Sequence, residues 1–134
     1  MDISDGILTA GKDEAREICE DKARQGWRVF DLPFGISSKL EFFDAVRARL
    51  PLDPPLYPDS ENWDALNDSL WGGLYSLRSP GSIIVWRNFD LLKDNFNSEF
   101  EVILGIFSSI ARTISDPKYG DGVSSHLIVF LVED

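Results

Sequence analysis

Histidine and cysteine, two residue types that are common in enzyme active sites, each occur once in this chain. His126 is the only histidine and Cys19 the only cysteine, so the sequence offers no Cys/His metal cluster and no intramolecular disulfide. The glycines form neither a phosphate-binding loop nor a dinucleotide fingerprint. Paired carboxylates could bind magnesium or hydrolyse a glycoside, but such pairs arise by chance in a chain this acidic. We therefore expect no cofactor, no metal and no catalytic residue, and an enzyme is the least favoured class.

One segment collects acidic, amide and aromatic side chains at helical spacing. Residues 61–71 (ENWDALNDSLW) are predicted to form a short helix, and at about 100° per residue Trp63, Leu66 and Leu70 face the core. The neighbouring face carries two carboxylates, a carboxamide and a large ring, from Asp64, Asn67, Asp68 and Trp71. Carboxylates four residues apart repel each other unless a cation lies between them. This pattern favours docking on a cationic partner, and the alternative is an ordinary solvated face with Trp71 covering the core.

The charge of the whole chain also favours a basic partner. Its 134 residues include 13 Lys and Arg against 23 Asp and Glu, for a formal net charge of −10. Such a surface repels phosphate backbones, so we expect no direct nucleic-acid binding. It attracts basic proteins at long range and so speeds their encounter. The alternative is that the acidity only keeps the protein soluble.

From the sequence we expect neither a targeting segment nor a membrane-spanning segment. Residues 1–5 lack the basic start and apolar run of a signal peptide. The longest aliphatic and aromatic run, residues 127–132, is far shorter than a membrane-spanning helix. We expect a cytoplasmic protein that does not bind membranes.

The rest of the pattern predicts the elements that position the acidic helix. Apolar runs predict three strands, over residues 27–32, 82–86 and 127–132. Apolar periodicity, caps and breakers predict five helices, over residues 12–25, 38–50, 61–71, 89–96 and 99–115. Gly72 and Gly73 are expected to end the third helix in a left-handed cap. Because the strands alternate with helices, we predict a parallel sheet with right-handed crossovers.

A proline-rich segment precedes the acidic helix. Residues 51–60 (PLDPPLYPDS) contain four prolines, each of which fixes its φ angle and lacks a backbone donor. We therefore predict a stiff surface loop. Together with the helix it would form a preorganised docking surface for a cationic cleft.

The residues of this loop and helix resemble the barstar family of intracellular ribonuclease inhibitors. The resemblance rests on residues 57–72, with the core Asn-x-Asp-Ala-Leu-x-Asp-x-Leu, and on Ile84–Phe89 (IVWRNF), which matches an aliphatic, Trp-Arg-x-Phe pattern. It covers roughly residues 27–134. The fold it implies is a barstar-like α/β domain over 27–134, with a three-stranded parallel sheet packed against helices. Residues 1–26 would be an added N-terminal helical extension.

The resemblance also implies a function and a set of contact residues. The protein would inhibit a basic microbial ribonuclease or ribonuclease toxin domain one-to-one, as an immunity protein or antitoxin. The helix and the preceding loop would block the active site, with Asp68 in the place of a substrate phosphate. The expected partner-binding residues are Tyr57, Asp59, Asn62, Asp64, Asn67, Asp68, Trp71 and Gly72.

Three positions depart from the family pattern. Asn67 replaces a tryptophan, Trp71 replaces a smaller contact residue, and Ser109 lies where barstar has a contacting glutamate. These departures concern the identity of the target more than the mode of action. The alternative function is a non-inhibitory interaction module on the same fold, bound to a basic partner that is not a ribonuclease.

Overall fold

Strands and helices alternate along most of the chain. The structure is a computed structural model that describes residues 6–120 and 124–133. Its elements in chain order are β1 (Ile7–Gly11), α1 (Lys12–Arg24), β2 (Arg28–Asp31), α2 (Lys39–Arg49), α3 (Trp63–Ser76), β3 (Ser82–Arg87), α4 (Phe89–Asn95), α5 (Asn97–Ile114), a 3₁₀ turn (Pro117–Tyr119) and β4 (Leu127–Glu133).

The strands form a single parallel sheet in the order β1-β4-β3-β2. Val129 of β4 lies between Ile7 of β1 and Ile84 of β3, and Val29 of β2 lies beside Ile83. The two central strands are buried along almost their whole length. This agrees with their continuous apolar runs, because strands of a parallel sheet that are covered on both faces need no alternation of polar residues.

The prediction of three strands is wrong, since the described part of the chain forms a sheet of four. The additional strand, β1 (ILTAG), contains two β-branched residues, Ile7 and Thr9, but it is short and ends in Ala10 and Gly11, so its local β signal is weak. Its pairing with β4 extends over five residues, and β4 lies at the other end of the chain. Tertiary pairing therefore decides the conformation of this segment. The region expected to supply only a helix supplies β1 as well as α1.

The two faces of the sheet carry different helices. Ile84 and Trp86 of β3 point into the larger core with residues of α2, α3 and α5. Ile83 and Val85 point the other way and pack with Ala15 of α1. Successive residues of a strand face opposite sides of a sheet, so α1 and α3 lie on opposite faces. As a result, α1 does not cover α3.

Aromatic rings in the larger core position the start of α3. Trp86 is fully buried in β3, and its ring centroid lies 5.4 Å from that of Phe42 in α2. The ring of Trp63, the first residue of α3, lies 5.0 Å from that of Phe43 and 6.5 Å from that of Phe42. The ammonium group of Lys39 lies 5.0 Å from the Trp63 ring centroid. Trp63 therefore anchors α3 to α2 and, through Phe42, to the sheet.

The spacing of Ser38 and Glu41 predicts a capping box, and half of it forms at the start of α2, since the Glu41 carboxylate binds Ser37 instead of the backbone N–H of Ser38. The backbone N–H of Glu41 donates to the hydroxyl of Ser38 over 3.2 Å. The Glu41 carboxylate accepts hydrogen bonds from the hydroxyl and the backbone N–H of Ser37, over 2.7 and 2.8 Å. These two donors lower the pKa of Glu41 below its ordinary value, with the hydroxyl the larger cause.

This motif predicts a pH dependence of stability. A carboxyl group with a folded-state pKa below its unfolded value stabilises the fold above the unfolded pKa, and the stabilisation is lost as the pH falls through the folded pKa. We expect Ser37→Ala, which removes the larger donor, to raise the Glu41 pKa measured by NMR titration. Glu41→Gln should then flatten the loss of unfolding free energy below about pH 4.3. An unchanged Glu41 pKa in Ser37→Ala would contradict this account.

The pairing of β1 predicts different costs for two adjacent residues. Ile7 is 1% exposed in the larger core, whereas its neighbour Leu8 is 38% exposed. We expect Ile7→Ala to lower the unfolding free energy by about 2–4 kcal/mol, because it leaves a cavity in the core. Leu8→Ala is the matched control and should cost less than about 1 kcal/mol. Equal losses in urea denaturation would show that β1 is not packed as described.

Candidate functional site

The chain between Arg49 and Arg78 carries charge of only one sign. It contains five acidic residues and no lysine or arginine: Asp53, Asp59, Glu61, Asp64 and Asp68. Two lie on α3, two in residues 51–60, here named the proline loop, and Glu61 lies between the loop and the helix. This segment therefore supplies negative charge and no basic side chain of its own.

The first turn of α3 is capped by one of the predicted contact residues. The side-chain oxygen of Asn62 accepts a hydrogen bond from the backbone N–H of Ala65 over 3.0 Å. This satisfies one of the free donors at the start of the helix. Asn62 is exposed, so its amide group remains accessible to solvent while its oxygen fixes the helix start.

Asp64 and Asp68 both point away from the core. Both residues are exposed, while Asn67 is half-buried between them on the same side of α3. Within residues 6–120 and 124–133, neither carboxylate takes part in an ion pair. The structure thus brings the predicted acidic face together on the accessible side of the helix.

Helix α3 forms a ridge between two grooves. On one side, a groove of about 230 Å³ separates α3 from α5, and Asp64 and Asn67 line it together with Gly105 and Ser109. On the other side, a groove of about 260 Å³ separates α3 from the proline loop. Asp68 lines this second groove with residues Pro54, Pro55, Leu56, Tyr57, Ser60, Ala65 and Ser69. The two carboxylates therefore face different depressions of one continuous surface.

Asn67 and Trp71, two of the departures from the family pattern, lie in different environments. The side-chain oxygen of Asn67 is buried and accepts no hydrogen bond from the described residues. The indole N–H of Trp71 donates to the hydroxyl of Thr113 in α5 over 3.0 Å, and its ring stacks on Tyr75 at 5.0 Å. Trp71 therefore ties α3 to α5, and only part of its surface is accessible. Asn67 leaves an acceptor unsatisfied.

The proline loop presents an aromatic ring at its tip. Tyr57 is 80% exposed, whereas the preceding Leu56 is buried and joins the core. Asp59 is exposed beside it. The guanidinium group of Arg47, on α2, donates to the backbone oxygens of Tyr57 and Ser60. Sequence reasoning missed Arg47, because no local pattern indicates that a residue of α2 reaches this loop.

The start of the loop lies directly on the backbone of α3. The N–H of Asp53 donates to the oxygen of Ser69 over 2.9 Å. A Cβ atom built on Gly72 would overlap the backbone oxygen of Asp53, and one on Gly73 would overlap that of Pro51. The peptide bond before Pro54 is cis. Both glycines therefore permit close approach of the loop.

The expected helix end at these glycines is wrong. α3 continues through Gly72 and Gly73 to Ser76, and neither glycine has a positive φ angle. Gly72 was also predicted to contact a partner. The structure shows it half-buried against Asp53, where it holds the loop in place.

The sequence profile described as Barstar (barnase inhibitor) matches residues 27–125. The chain belongs to the barstar family. The match includes the proline loop, α3 and the residues on α5 that line the adjoining groove, while β1 and α1 precede it. A search of curated proteins and a search of solved structures gave no significant match.

The two residues first considered for catalysis lie elsewhere in this barstar-family fold. Cys19 is half-buried on α1, where burial and then the carboxylate of Asp31 raise the pKa of its thiol. A raised pKa disfavours the reactive thiolate. His126 is exposed, and its ring stacks on Trp27 with centroids 6.1 Å apart.

Among the described residues, no group of three or more His, Cys, Asp or Glu side chains could hold a metal ion. None of the helices in this part of the chain combines the length and the apolar character needed to span a bilayer.

The contact between the loop and α3 predicts opposite effects of one substitution at two glycines. Gly→Ala inside a helix ordinarily stabilises by about 0.5–1 kcal/mol. We expect this gain for Gly105→Ala in α5, where a Cβ meets no atom within 4 Å. Gly72→Ala should instead lower the unfolding free energy by about 1–3 kcal/mol, because the methyl group collides with the loop backbone. Urea denaturation of both variants measures the difference, and a gain at Gly72 would contradict the close approach.

Proposed function

We propose that this protein is a stoichiometric inhibitor of a basic ribonuclease, and that it blocks the active site with α3 and the proline loop. The observation that carries the proposal is the pair of exposed carboxylates of Asp64 and Asp68 on the α3 ridge, which form no ion pair with any other described residue. They belong to a chain whose family is described as a barnase inhibitor.

Electrostatics supports a ribonuclease as the partner. A ribonuclease cleft needs Arg, Lys and His side chains to bind the phosphates of RNA, so it is cationic. The segment between Arg49 and Arg78, which includes the proline loop and α3, contains five acidic residues and no lysine or arginine. The net charge of −10 adds a long-range attraction that speeds encounter with such a protein.

The position of Asp68 suits the role of a phosphate mimic. It projects from a helix anchored in the core and lines the groove that also contains Tyr57. A carboxylate held on a rigid element can receive charged hydrogen bonds from a cationic cleft without first being ordered. In this proposal Asp68 meets the catalytic basic residues, and the exposed ring of Tyr57 packs beside them.

The other contact residues extend the interface on either side of Asp68. Asp64 and Asn67 contact the partner from the groove beside α5, which both residues line. Asp59 and Asn62 act from the rim near the loop, both being exposed. Trp71 and Gly72 flank the other end of the ridge, with smaller accessible areas.

The groove beside α5 is also where this chain departs from the family pattern. Asn67 and Ser109 line it instead of a tryptophan and a glutamate, so Asp64 is the one carboxylate among its lining residues. A target that matches this groove therefore needs less positive charge there than the resemblance alone implies. We propose a target distinct from barnase in this region, either another basic microbial ribonuclease or a ribonuclease toxin domain. The inhibitor would then act as a cytoplasmic immunity protein or antitoxin.

The inhibitor proposal predicts a selective effect of Asp68. We expect the protein to inhibit barnase or another basic microbial ribonuclease one-to-one, with association slowing as salt rises. Asp68→Ala should weaken inhibition by about 2–5 kcal/mol, because a buried cationic group loses its partner. Inhibition of RNA cleavage, titrated over a panel of such enzymes, measures the effect.

Glu17→Ala provides the matched control for Asp68→Ala. Glu17 is exposed on α1, on the opposite face of the sheet, and its loss removes the same charge. It should change the affinity by less than about threefold, because distant surface charges are screened. Equal losses for the two variants, or no inhibition of any enzyme in the panel, would contradict the proposal. Binding of a basic protein without RNA-cleaving activity would instead support the interaction-module alternative.

A further inference from the structure

The tip of the proline loop is held by a side chain from another helix. Arg47 lies in the last turn of α2, and its side chain is 15% exposed. One terminal nitrogen, Nη1, donates to the backbone oxygens of Tyr57 and Ser60 over 3.1 and 2.9 Å. The other, Nη2, donates to the carboxylate of Asp44 over 2.7 Å. One guanidinium group thus joins the loop to α2 at three acceptors.

The loop needs donors from outside because its own residues supply few. Four of the ten residues from 51 to 60 are prolines, which have no backbone N–H. The turn at the tip is closed by the N–H of Ser60, which donates to the oxygen of Tyr57 over 3.0 Å. Arg47 donates to this same oxygen and to that of Ser60, so it holds both ends of the turn.

A guanidinium group suits this task better than an ammonium group. It is planar, always charged and offers five donors in a fixed fork, so it can bond several acceptors at once. Asp44 lies one turn before Arg47 on α2 and fixes the direction of the fork. The donors that the structure assigns to Arg47 are engaged within the protein, whereas the Tyr57 ring is 80% exposed.

We propose that Arg47 is a positioning residue for partner binding, which acts only by fixing the tip of the proline loop. This inference rests on the proposed inhibitory function for its consequence, though the contact with the loop is independent of any partner. Because the turn is already fixed in the free protein, the loop loses little conformational entropy when the Tyr57 ring contacts the partner. Association therefore gains affinity from a residue that does not touch the partner.

The first test uses the free protein and needs no partner. We expect Arg47→Ala to speed hydrogen exchange of the Ser60 amide by about tenfold or more, because the turn opens more often. Amides in the centre of α5 should exchange as in the wild type, which shows that the fold is intact. Arg47→Lys should give an intermediate rate, since a single ammonium group cannot reproduce the fork.

Arg24→Ala is a matched control. Arg24 also lies in the last turn of a helix and also pairs with an aspartate three residues earlier, Asp21, over 3.4 Å. It lies on α1, across the sheet from the loop, and it should leave Ser60 exchange unchanged. If Arg47→Ala also leaves Ser60 exchange unchanged, the inference is overturned whatever the partner.

The second test is a double-mutant cycle with a ribonuclease that the wild-type protein inhibits, barnase being the first probe. We expect Arg47→Ala to weaken binding by about tenfold in the wild-type background, and by less than about threefold in a Tyr57→Ala background. Its effect should stay near tenfold in an Asp68→Ala background. Added guanidinium ion at low millimolar concentration should restore part of the affinity of Arg47→Ala alone.

The outcomes separate this inference from the proposed function. Faster Ser60 exchange with unchanged affinity would overturn the positioning role while leaving the inhibitor proposal intact. Equal losses in the wild-type and Tyr57→Ala backgrounds would show that Arg47 does not act through the loop. If the wild-type protein inhibits no ribonuclease, the proposed function fails, and the exchange measurement still decides whether Arg47 holds the turn.

Discussion

The candidate interface depends on one backbone contact, between the start of the proline loop and the middle of α3. Gly72 and Gly73 let the oxygens of Asp53 and Pro51 lie against the helix, where any side chain would force them apart. Because the loop starts on the helix, its tip cannot move far from Asp68, and the groove between them has a defined width. Two helices share in this arrangement, since Arg47 of α2 holds the tip and α3 holds the start.

The sheet serves as the platform that keeps this surface accessible. Helices α2, α3 and α5 pack on one face through a core of large aromatic and aliphatic side chains, and α1 packs on the other. The chain before the family match therefore adds β1 at the edge of the sheet and α1 behind it, without covering the α3 ridge. This separation is possible because each connection between two parallel strands places its helix on one face of the sheet or on the other.

The exposed ridge retains groups that stability alone would not favour. Asp64 and Asp68 lie one helical turn apart, where like charges repel, and Asn67 keeps a buried oxygen without a donor among the described residues. In the proposed function, contact with a cationic partner would relieve the repulsion between the two carboxylates.

Local pattern in the sequence determined most of the elements, and non-local contacts decided the rest. All five predicted helices, the strands β2, β3 and β4, and the shared face of Asp64 and Asp68 follow from periodicities that extend over a few residues. The family resemblance could also be recognised from the sequence, because its motif is contiguous.

β1 was missed because its propensity is weak and its partner strand lies at the opposite end of the chain. The prediction of a helix end at Gly72 and Gly73 was wrong because glycine is common both at helix ends and where another backbone approaches a helix closely. Only the position of the neighbouring loop shows which of the two applies. The hydrogen bonds from Arg47 to the loop could not be predicted from the sequence, since a long side chain can reach acceptors that no local spacing specifies.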